Sequence, residues 1–203
     1  MSRAKPDRRI SRTKHSLHRA LNTLILEKGY EATTITDIVS RADVGRSTFY
    51  AHHGSKEGLL LHGLHHLQDV LMDQRQLDGA SNPPLLGFSR VFFEHFHEYR
   101  DVFQSLRADE CGPIVIRKMK RILAEVVRQD LRRVRSENAT DQAPRDAIVR
   151  FTVDALFAIL LWWMEQKPTL SPAQADALFR RLILPALAAG GVTPYRDTIA
   201  PVH

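Results

Sequence analysis

The chain has 203 residues, of which 43% are hydrophobic, enough to build a core. No stretch approaches the roughly 18 uninterrupted apolar residues of a membrane span, and no apolar segment follows the basic N-terminus as in a signal peptide. Cys111 is the single cysteine, which excludes an intramolecular disulfide and a cysteine-based zinc site. We therefore expect a cytoplasmic protein without a cofactor.

The charge is distributed unevenly. Residues 1–56 contain 11 Lys and Arg against 5 Asp and Glu, a net charge of 11 − 5 = +6, whereas residues 57–203 contain 18 of each kind. Such an asymmetry indicates a polyanionic partner, either nucleic acid or an acidic membrane surface. The plainer interpretation is a solvated basic tail, because six cations lie in the first 14 residues.

The first quarter of the chain predicts three helices and the start of a fourth. Apolar residues at helical spacing predict a helix over 11–28, which Gly29 ends. Thr34 opens a second, short helix and forms a capping box with Asp37. After a turn at residues 43–45, a third short helix runs over 46–52, and Ser55 caps a longer fourth helix.

The rest of the chain is also helical in pattern. Further helices are predicted at roughly 85–99, 100–108, 113–136, 145–166 and 172–189. The last of these has a clear start signal, with Ser171 as N-cap, Pro172 at the first helical position and Gln174 closing the box. The sequence therefore predicts an all-α fold of about nine helices, divided into a domain over 1–56 and a larger helical domain over 57–203.

The second and third helices form a helix-turn-helix pattern, two short helices joined by a tight turn. They are too short to be stable alone, so we expect them to dock on the first helix through Ile38, Val39, Val44 and Phe49. The side of the third helix opposite Phe49 carries hydroxyl groups that can donate to phosphates. Arg46 can make a bidentate contact with guanine. This pattern is typical of a recognition helix in the major groove of DNA.

At this point the sequence resembles the TetR family of bacterial transcriptional regulators. The resembling run is "GYEATTITDIVSRADVGRSTFYAHHGSKEGLL", residues 29–60. The chain departs from the family pattern at Asp43, where a turn glycine is common, and at His53, where a Phe usually packs.

The resemblance implies a role for each matching residue. Contacts with the DNA backbone or bases are implied at Thr34 and Thr36. Reading of the base sequence is implied at Arg46, Ser47 and Thr48, and phosphate contacts at Tyr50, His52 and Lys56. Lys56 and the amides at the start of the fourth helix could together hold a flanking phosphate.

Aromatic residues in the larger domain recur at helical spacing. Phe88, Phe92, His95, Phe96 and Tyr99 form one stripe, and Trp162 and Trp163 follow in a later helix. Such a stripe fits either an ordinary helix-on-helix core or the lining of a pocket between helices. As candidates for binding a small-molecule effector we take Phe92, Phe96, Phe103 and Trp162.

The last two helices carry more apolar surface than one small core requires, which indicates a contact between subunits. The candidate interface residues are Phe151, Ala155, Ile159, Leu178 and Leu182. The resemblance implies that these helices form a four-helix bundle at a two-fold axis. A two-fold dimer would match a palindromic DNA site, with one recognition helix in each half-site.

The resulting functional prediction is a dimeric repressor that binds a palindromic operator and is released by a small-molecule effector. An activator or a regulator that needs a co-repressor would have the same sequence features. We do not expect an enzyme, because the sequence contains no Ser-His-Asp order, no phosphate-binding glycine loop and no convergent carboxylate pair. A membrane-surface protein would need an apolar face beside the basic residues, and residues 1–14 offer only Met1 and Ile10.

The histidines raise the separate question of a regulatory metal site. Those that could share helix faces are His62, His65 and His66 in the fourth helix and His95 and His97 in the fifth. No carboxylate or thiol lies at a matching spacing, so we expect solvated or core histidines and no metal site.

Overall fold

The computed structural model describes residues 4–77, 84–132, 143–165 and 170–192, with side chains from residue 10 onwards and, in the fourth helix, up to residue 72. Within these ranges the chain forms nine α-helices and no strand, which confirms the all-α prediction. The helices are α1 (Ala4–Lys28), α2 (Ile35–Ala42), α3 (Arg46–His53), α4 (Lys56–Leu77), α5 (Ser89–Glu98), α6 (Arg100–Ala108), α7 (Gly112–Leu131), α8 (Arg145–Glu165) and α9 (Pro172–Ala189).

Two helix starts differ from the predicted ones. Helix α1 begins at Ala4 rather than at residue 11, and Pro6 falls in its first turn, where no intrahelical N–H is needed. Helix α5 begins at Ser89 rather than at residue 85, because the chain turns at buried Leu86, whose φ is 59°. The last residues of the predicted helices 113–136 and 145–166 lie partly outside the described residues.

The described chain divides into two compact units, and the division does not follow the order of the sequence. The first unit comprises residues up to Leu67 together with Tyr99–Met119, and the second comprises Gln68–Glu98 and the residues from Lys120 onwards. Helix α6 and the start of α7 therefore fold with the N-terminal helices. The functional division at residues 56 and 57 remains a prediction.

The core of the first unit forms where α2 and α6 pack against α1. From α1 it takes Leu17, Leu21 and Ile25, all at most 1% exposed, and Ile38 of α2 and Phe49 of α3 are completely buried. Of the four predicted docking residues, Ile38, Val39 and Phe49 are buried and Val44 is only partly buried, because it lies in the turn between the two short helices. Helix α2 packs directly against α1, as predicted.

The core of the second unit is built where α9 packs against α5 and α8. Its centre is aromatic: Phe93 lies 5.7 Å from Trp163 and 6.3 Å from Phe179 between ring centroids. The indole N–H of Trp163 donates to the carbonyl of Leu170 at 3.0 Å, so the polar edge of this buried ring is satisfied.

Helix α8 is, among the described residues, the one helix long and apolar enough to cross a membrane by length and composition alone. Half of the residues in its apolar window are buried inside the protein. They include Val153, Leu156 and Leu160, on the side that packs in the second unit. Because a core helix passes the same test of length and composition, we assign α8 to the core of this unit.

Truncating Phe49 should destabilise the first unit strongly. Phe49 is 0% exposed, so Phe49→Ala would leave a cavity and should lower the free energy of unfolding by about 3–5 kcal/mol. Its neighbour Tyr50 is 51% exposed, and Tyr50→Ala should change the same quantity much less. Urea unfolding followed by circular dichroism would measure both; equal losses would contradict the packing described here.

Candidate nucleic-acid interface

Helix α2 begins where the sequence predicts because Thr34 and Asp37 cap it reciprocally. The Asp37 amide donates to the Thr34 hydroxyl oxygen at 3.2 Å, and the Thr34 amide donates to the Asp37 carboxylate at 2.8 Å. The Lys28 ammonium and the Thr34 hydroxyl, both donating to this carboxylate, hold the pKa of Asp37 below its ordinary value. The carboxylate therefore stays charged and the cap intact at neutral pH.

Two ion pairs join α2 to the end of α1. Lys28 lies 2.7 Å from Asp37, and the Arg41 guanidinium makes a bidentate contact with Glu27, with both distances 2.8 Å. All four side chains are substantially exposed, so each pair contributes little stability. Their effect is on orientation, because the fork geometry of Arg41 restricts how α2 can rotate on α1.

The turn between α2 and α3 places Asp43, where the family commonly has a glycine, in a left-handed conformation. Asp43 lies in the left-handed region, with φ 52° and ψ 51°, and its amide donates back to the carbonyl of Ser40. The Val44 amide donates to the carbonyl of Val39 at 3.0 Å, and Gly45 is the N-cap of α3. The turn therefore has the geometry of a helix-turn-helix.

The surface of α3 opposite Phe49 is exposed, as predicted. Arg46, Ser47 and Tyr50 are exposed and Thr48 is partly buried. The Arg46 guanidinium donates to the hydroxyl of Thr36 at 2.8 Å, which ties the first residue of α3 to the second residue of α2. The arginine is thus held in one orientation while most of its five donors remain available for a ligand.

Lys56 has a structural role that sequence reasoning missed. Its ammonium donates to the carbonyls of Tyr30 at 2.8 Å and Thr33 at 2.9 Å, and lies 4.2 Å above the centre of the Tyr30 ring. It also lies 3.4 Å from the carbonyl of Glu31. Lys56 therefore closes the loop between α1 and α2. A contact with phosphate, implied by the resemblance, would require at least one of these bonds to be exchanged.

Asp109, between α6 and α7, is a second residue that sequence reasoning missed. Its carboxylate accepts a hydrogen bond from the Tyr30 amide at 2.8 Å and lies beside Gly29, whose φ of 81° ends α1. No local pattern signals this contact, because the two residues are 79 positions apart. The loop over residues 29–33 is consequently held from two sides, by Lys56 and by Asp109.

Histidines also meet at the joint of the third and fourth helices. The ring of His53, the last residue of α3, lies 5.9 Å from Phe49 and 5.2 Å from His62 of α4 between centroids. His52 is partly buried beside it, with its ring centroid 6.3 Å from that of His53, and its contact with phosphate remains a prediction. No group of three His, Cys, Asp or Glu side chains in the described part of the chain is arranged to hold a metal ion.

The structure places the candidate effector residues in different environments. Phe92 and Phe96 are buried, with ring centroids 4.7 Å apart, and belong to the aromatic core of the second unit. Phe103 is buried in the first unit, and Trp162 is 43% exposed. The structure thus brings together two of the four, and their role in binding an effector remains a prediction.

The candidate dimer residues lie on the open side of α8 and α9. Phe151 is 52% exposed and Leu182 is 57% exposed, which is unusual for large apolar side chains, while Ala155, Ile159 and Leu178 are partly buried. Their spacing on α8 places Phe151, Ala155 and Ile159 on one face, one turn after another. This face is available for a further contact.

A groove of about 480 Å³ lies between α7 and α8 in the second unit. Its floor includes Ala124, Val149 and Val153, and its rim is charged, with Lys120 paired to Asp154 at 2.7 Å. The sequence patterns did not indicate this groove.

Comparison with known families matches both parts of the chain. The family of bacterial regulatory proteins called TetR matches residues 18–62, and a family described as a transcriptional regulator C-terminal region matches residues 86–184. The first match contains α2, the turn and α3, together with Lys56. It therefore coincides with the exposed surface described above.

Individual relatives show the same resemblance. The HTH-type transcriptional regulator TcmR of Streptomyces glaucescens is 30% identical over 94 residues, 46% of this chain and 42% of its own. The chain spans less than half the length of the curated relatives it matches.

Solved structures extend the likeness in fold to most of the chain. A TetR-family regulator from Syntrophomonas wolfei aligns with a TM-score of 0.70 at 17% identity, over 88% of this chain and 95% of that one. Thermus thermophilus FadR, a transcriptional repressor solved with lauroyl-CoA, aligns with a TM-score of 0.55 at 22% identity, over 94% of this chain and all of its own.

Replacing Lys56 by Met should separate its structural role from any contact with phosphate. Lys56→Met keeps the aliphatic stem and removes the ammonium that binds two carbonyls, so we expect a loss of about 1–3 kcal/mol in the free energy of unfolding without DNA. The exposed neighbour Glu57 provides a control, since Glu57→Gln should have little effect. Unchanged stability in urea unfolding would mean that these bonds do not hold the loop.

Proposed function

The chain belongs to the TetR family of bacterial regulatory proteins, and from this premise we propose that it is a cytoplasmic transcriptional repressor that binds a palindromic operator as a dimer. A small-molecule effector releases it from the operator. It acts by binding and not by catalysis. The observation that carries the proposal is the exposed polar surface of α3, presented by a helix-turn-helix whose apolar side is anchored by Phe49.

The reading of DNA is assigned to the exposed residues of α2 and α3. Arg46 contacts a base edge, most simply a guanine, and its bond to Thr36 selects the orientation before DNA arrives. Ser47, Thr48 and Tyr50 supply hydroxyl donors to bases or phosphates. Thr34, His52 and Lys56 border this surface and contribute to the backbone contacts.

Net charge supports the same assignment. The excess of six positive charges lies in residues 1–56, the part of the chain that contains this surface. Lysine and arginine side chains near phosphates release counterions, so binding should be strongly dependent on salt. The part over 57–203, with no net charge, is assigned to dimerisation and to the effector.

The dimer is assigned to the apolar face of α8 and α9. Phe151 and Leu182 are each more than half exposed in the single chain, and a two-fold contact would bury both against a second copy. Such a dimer presents two copies of α3, which is what a palindromic site requires.

Release by an effector is supported by the helical second unit and by the fold relatives. FadR of Thermus thermophilus was solved with lauroyl-CoA, so a protein of this fold binds a small molecule. In this chain we assign the effector to the aromatic residues Phe92 and Phe96, with Phe103 and Trp162 as further candidates. Binding shifts the population between arrangements of the dimer, and a coupling of roughly 1–3 kcal/mol between the two sites would suffice for regulation.

The proposed reading of DNA is tested by selecting genomic DNA fragments with the purified wild-type protein. Binding of Arg46→Ala to the recovered fragments is then compared with that of the wild type. Loss of one bidentate base contact should weaken binding to the recovered palindrome by about 1–3 kcal/mol, roughly 5- to 150-fold. Arg90→Ala is the control, because Arg90 is an exposed arginine of α5 that pairs with Glu94 and lies outside the helix-turn-helix. Binding by wild type that is salt-sensitive but independent of sequence would contradict the proposed recognition by α3.

Introducing charge on the α8–α9 face should separate the subunits. Leu182→Glu places a carboxylate at the centre of the proposed contact, and we expect the dimer dissociation constant to rise by about tenfold or more. The neighbouring Arg181 is also exposed, and Arg181→Gln serves as the control. Analytical ultracentrifugation measures the dissociation constants, and a dimer unaffected by Leu182→Glu would place the interface elsewhere.

A further inference from the structure

Three imidazole rings from three different helices meet inside the first unit. His18 of α1 lies 5.8 Å from His53 of α3 and 5.6 Å from His62 of α4, and His53 lies 5.2 Å from His62, all between ring centroids. We call this cluster of His18, His53 and His62 the histidine joint. It occupies the place where the recognition helix ends and α4 begins.

The packing at the histidine joint leaves little free space. His18 and His62 are stacked, with an angle of 20° between their planes. Gly63 lies so close to His18 that a Cβ at that position would be 3.1 Å from the ring. The absence of a side chain at Gly63 therefore allows α4 to approach α1 closely enough for the rings to touch.

Three ring nitrogens of His18 and His53 in the histidine joint lack hydrogen-bond partners among the described residues. They are the Nε2 of His18 and both ring nitrogens of His53, and all three are buried. A proton on Nε2 of His18 or on either ring nitrogen of His53 would therefore lack both water and a hydrogen-bond acceptor. The joint is adapted to neutral rings.

The charged groups around the joint also oppose a further positive charge. The groups that act on His18 are His15 of its own helix, His53 of α3, and His62 and His66 of α4. Those that act on His53 are Lys14 of α1, His52 of its own helix and His62 of α4. All are cations or imidazoles that become cations, so every helix at the joint contributes repulsion when the rings take up protons.

Burial, reinforced by these neighbours, lowers the pKa of His18 and of His53 from the ordinary value of 6.5 to about 4. When the joint opens and water reaches the rings, their pKa returns towards 6.5. Between these two values the open form binds more protons than the closed form, so acid favours opening. The stability that the neutral rings give to the closed joint is fully present above pH 6.5 and is lost progressively as the pH falls towards 4.

We propose that the histidine joint is an acid-sensitive coupling between the recognition helix and the helices that support it. Protonation of these imidazole rings opposes the packing of α3 against α1 and α4. The surface that reads DNA therefore loses its geometry before the second unit unfolds. The consequence for DNA binding rests on the proposed function, whereas the opening of α3 does not.

The variant that tests the proposal is His53→Phe, which keeps an aromatic ring and removes the titrating group. Hydrogen exchange followed by mass spectrometry, with labelling times scaled to the intrinsic rate at each pH, reports the opening of α3 directly. In EDTA, peptides from α3 of the wild type should lose protection between about pH 7 and pH 5, and His53→Phe should lose about half as much or less. His65→Gln is the control, because His65 is exposed on the same helix as His62.

Two outcomes would overturn the proposal: protection of α3 that does not change with pH, or an equal loss in wild type and His53→Phe. If His53→Phe does not fold, His53→Leu replaces it in the same comparison. Binding to sonicated DNA at low salt is measured in parallel. Opening of α3 in acid by a protein that binds no DNA at any pH would support the joint and contradict the proposed function.

Discussion

The structure of the first unit depends on one constraint: two helices of eight residues must be held in place by a longer one. Isolated helices shorter than about 12–15 residues are marginal in water, so α2 and α3 exist as helices because Ile38 and Phe49 are buried in the core of this unit. The positions of all exposed residues on α3 follow from this burial. Phe49 is the only residue of α3 that is buried, so the recognition helix has a single apolar anchor.

Much of this unit could be predicted from the sequence because its signals are local. The capping box at Thr34, the turn at residues 43–45 and the buried position of Phe49 each follow from residues within one or two turns of the chain. The capping box at Ser171 in the second unit follows in the same way. The bonds made by Lys56 and Asp109 could not be predicted in the same way. They join residues 23–79 positions apart, and charged side chains give no periodic signal of what they contact in the fold.

The second unit shows a different limit of prediction from the sequence. A stripe of aromatic residues has the same spacing whether it fills a core or lines a pocket, and only the packing distinguishes the two. Phe92 is completely buried against Phe93 and Phe96, whereas Trp162 is 43% exposed, although both belong to aromatic clusters in helices. The exposure of Phe151 and Leu182 on α8 and α9 agrees with a helix that carries apolar residues on more than one side, and their role in a dimer remains a prediction.

The loop over residues 29–33 connects these observations. Lys56 holds its carbonyls from the start of α4, and Asp109 holds the Tyr30 amide from the turn between α6 and α7. The next residue in the chain is Thr34, the cap of α2, whose hydroxyl position depends on where this loop lies. Helices α4 and α7 both continue into the second unit. Under the proposed function, an effector that displaces either helix would act on the proposed DNA-reading surface through the polar contacts that Lys56 and Asp109 make with this one short loop. Polar contacts can transmit such a displacement because they can be exchanged for water at little net free energy. The buried Phe49 meanwhile keeps α3 folded while its surroundings move.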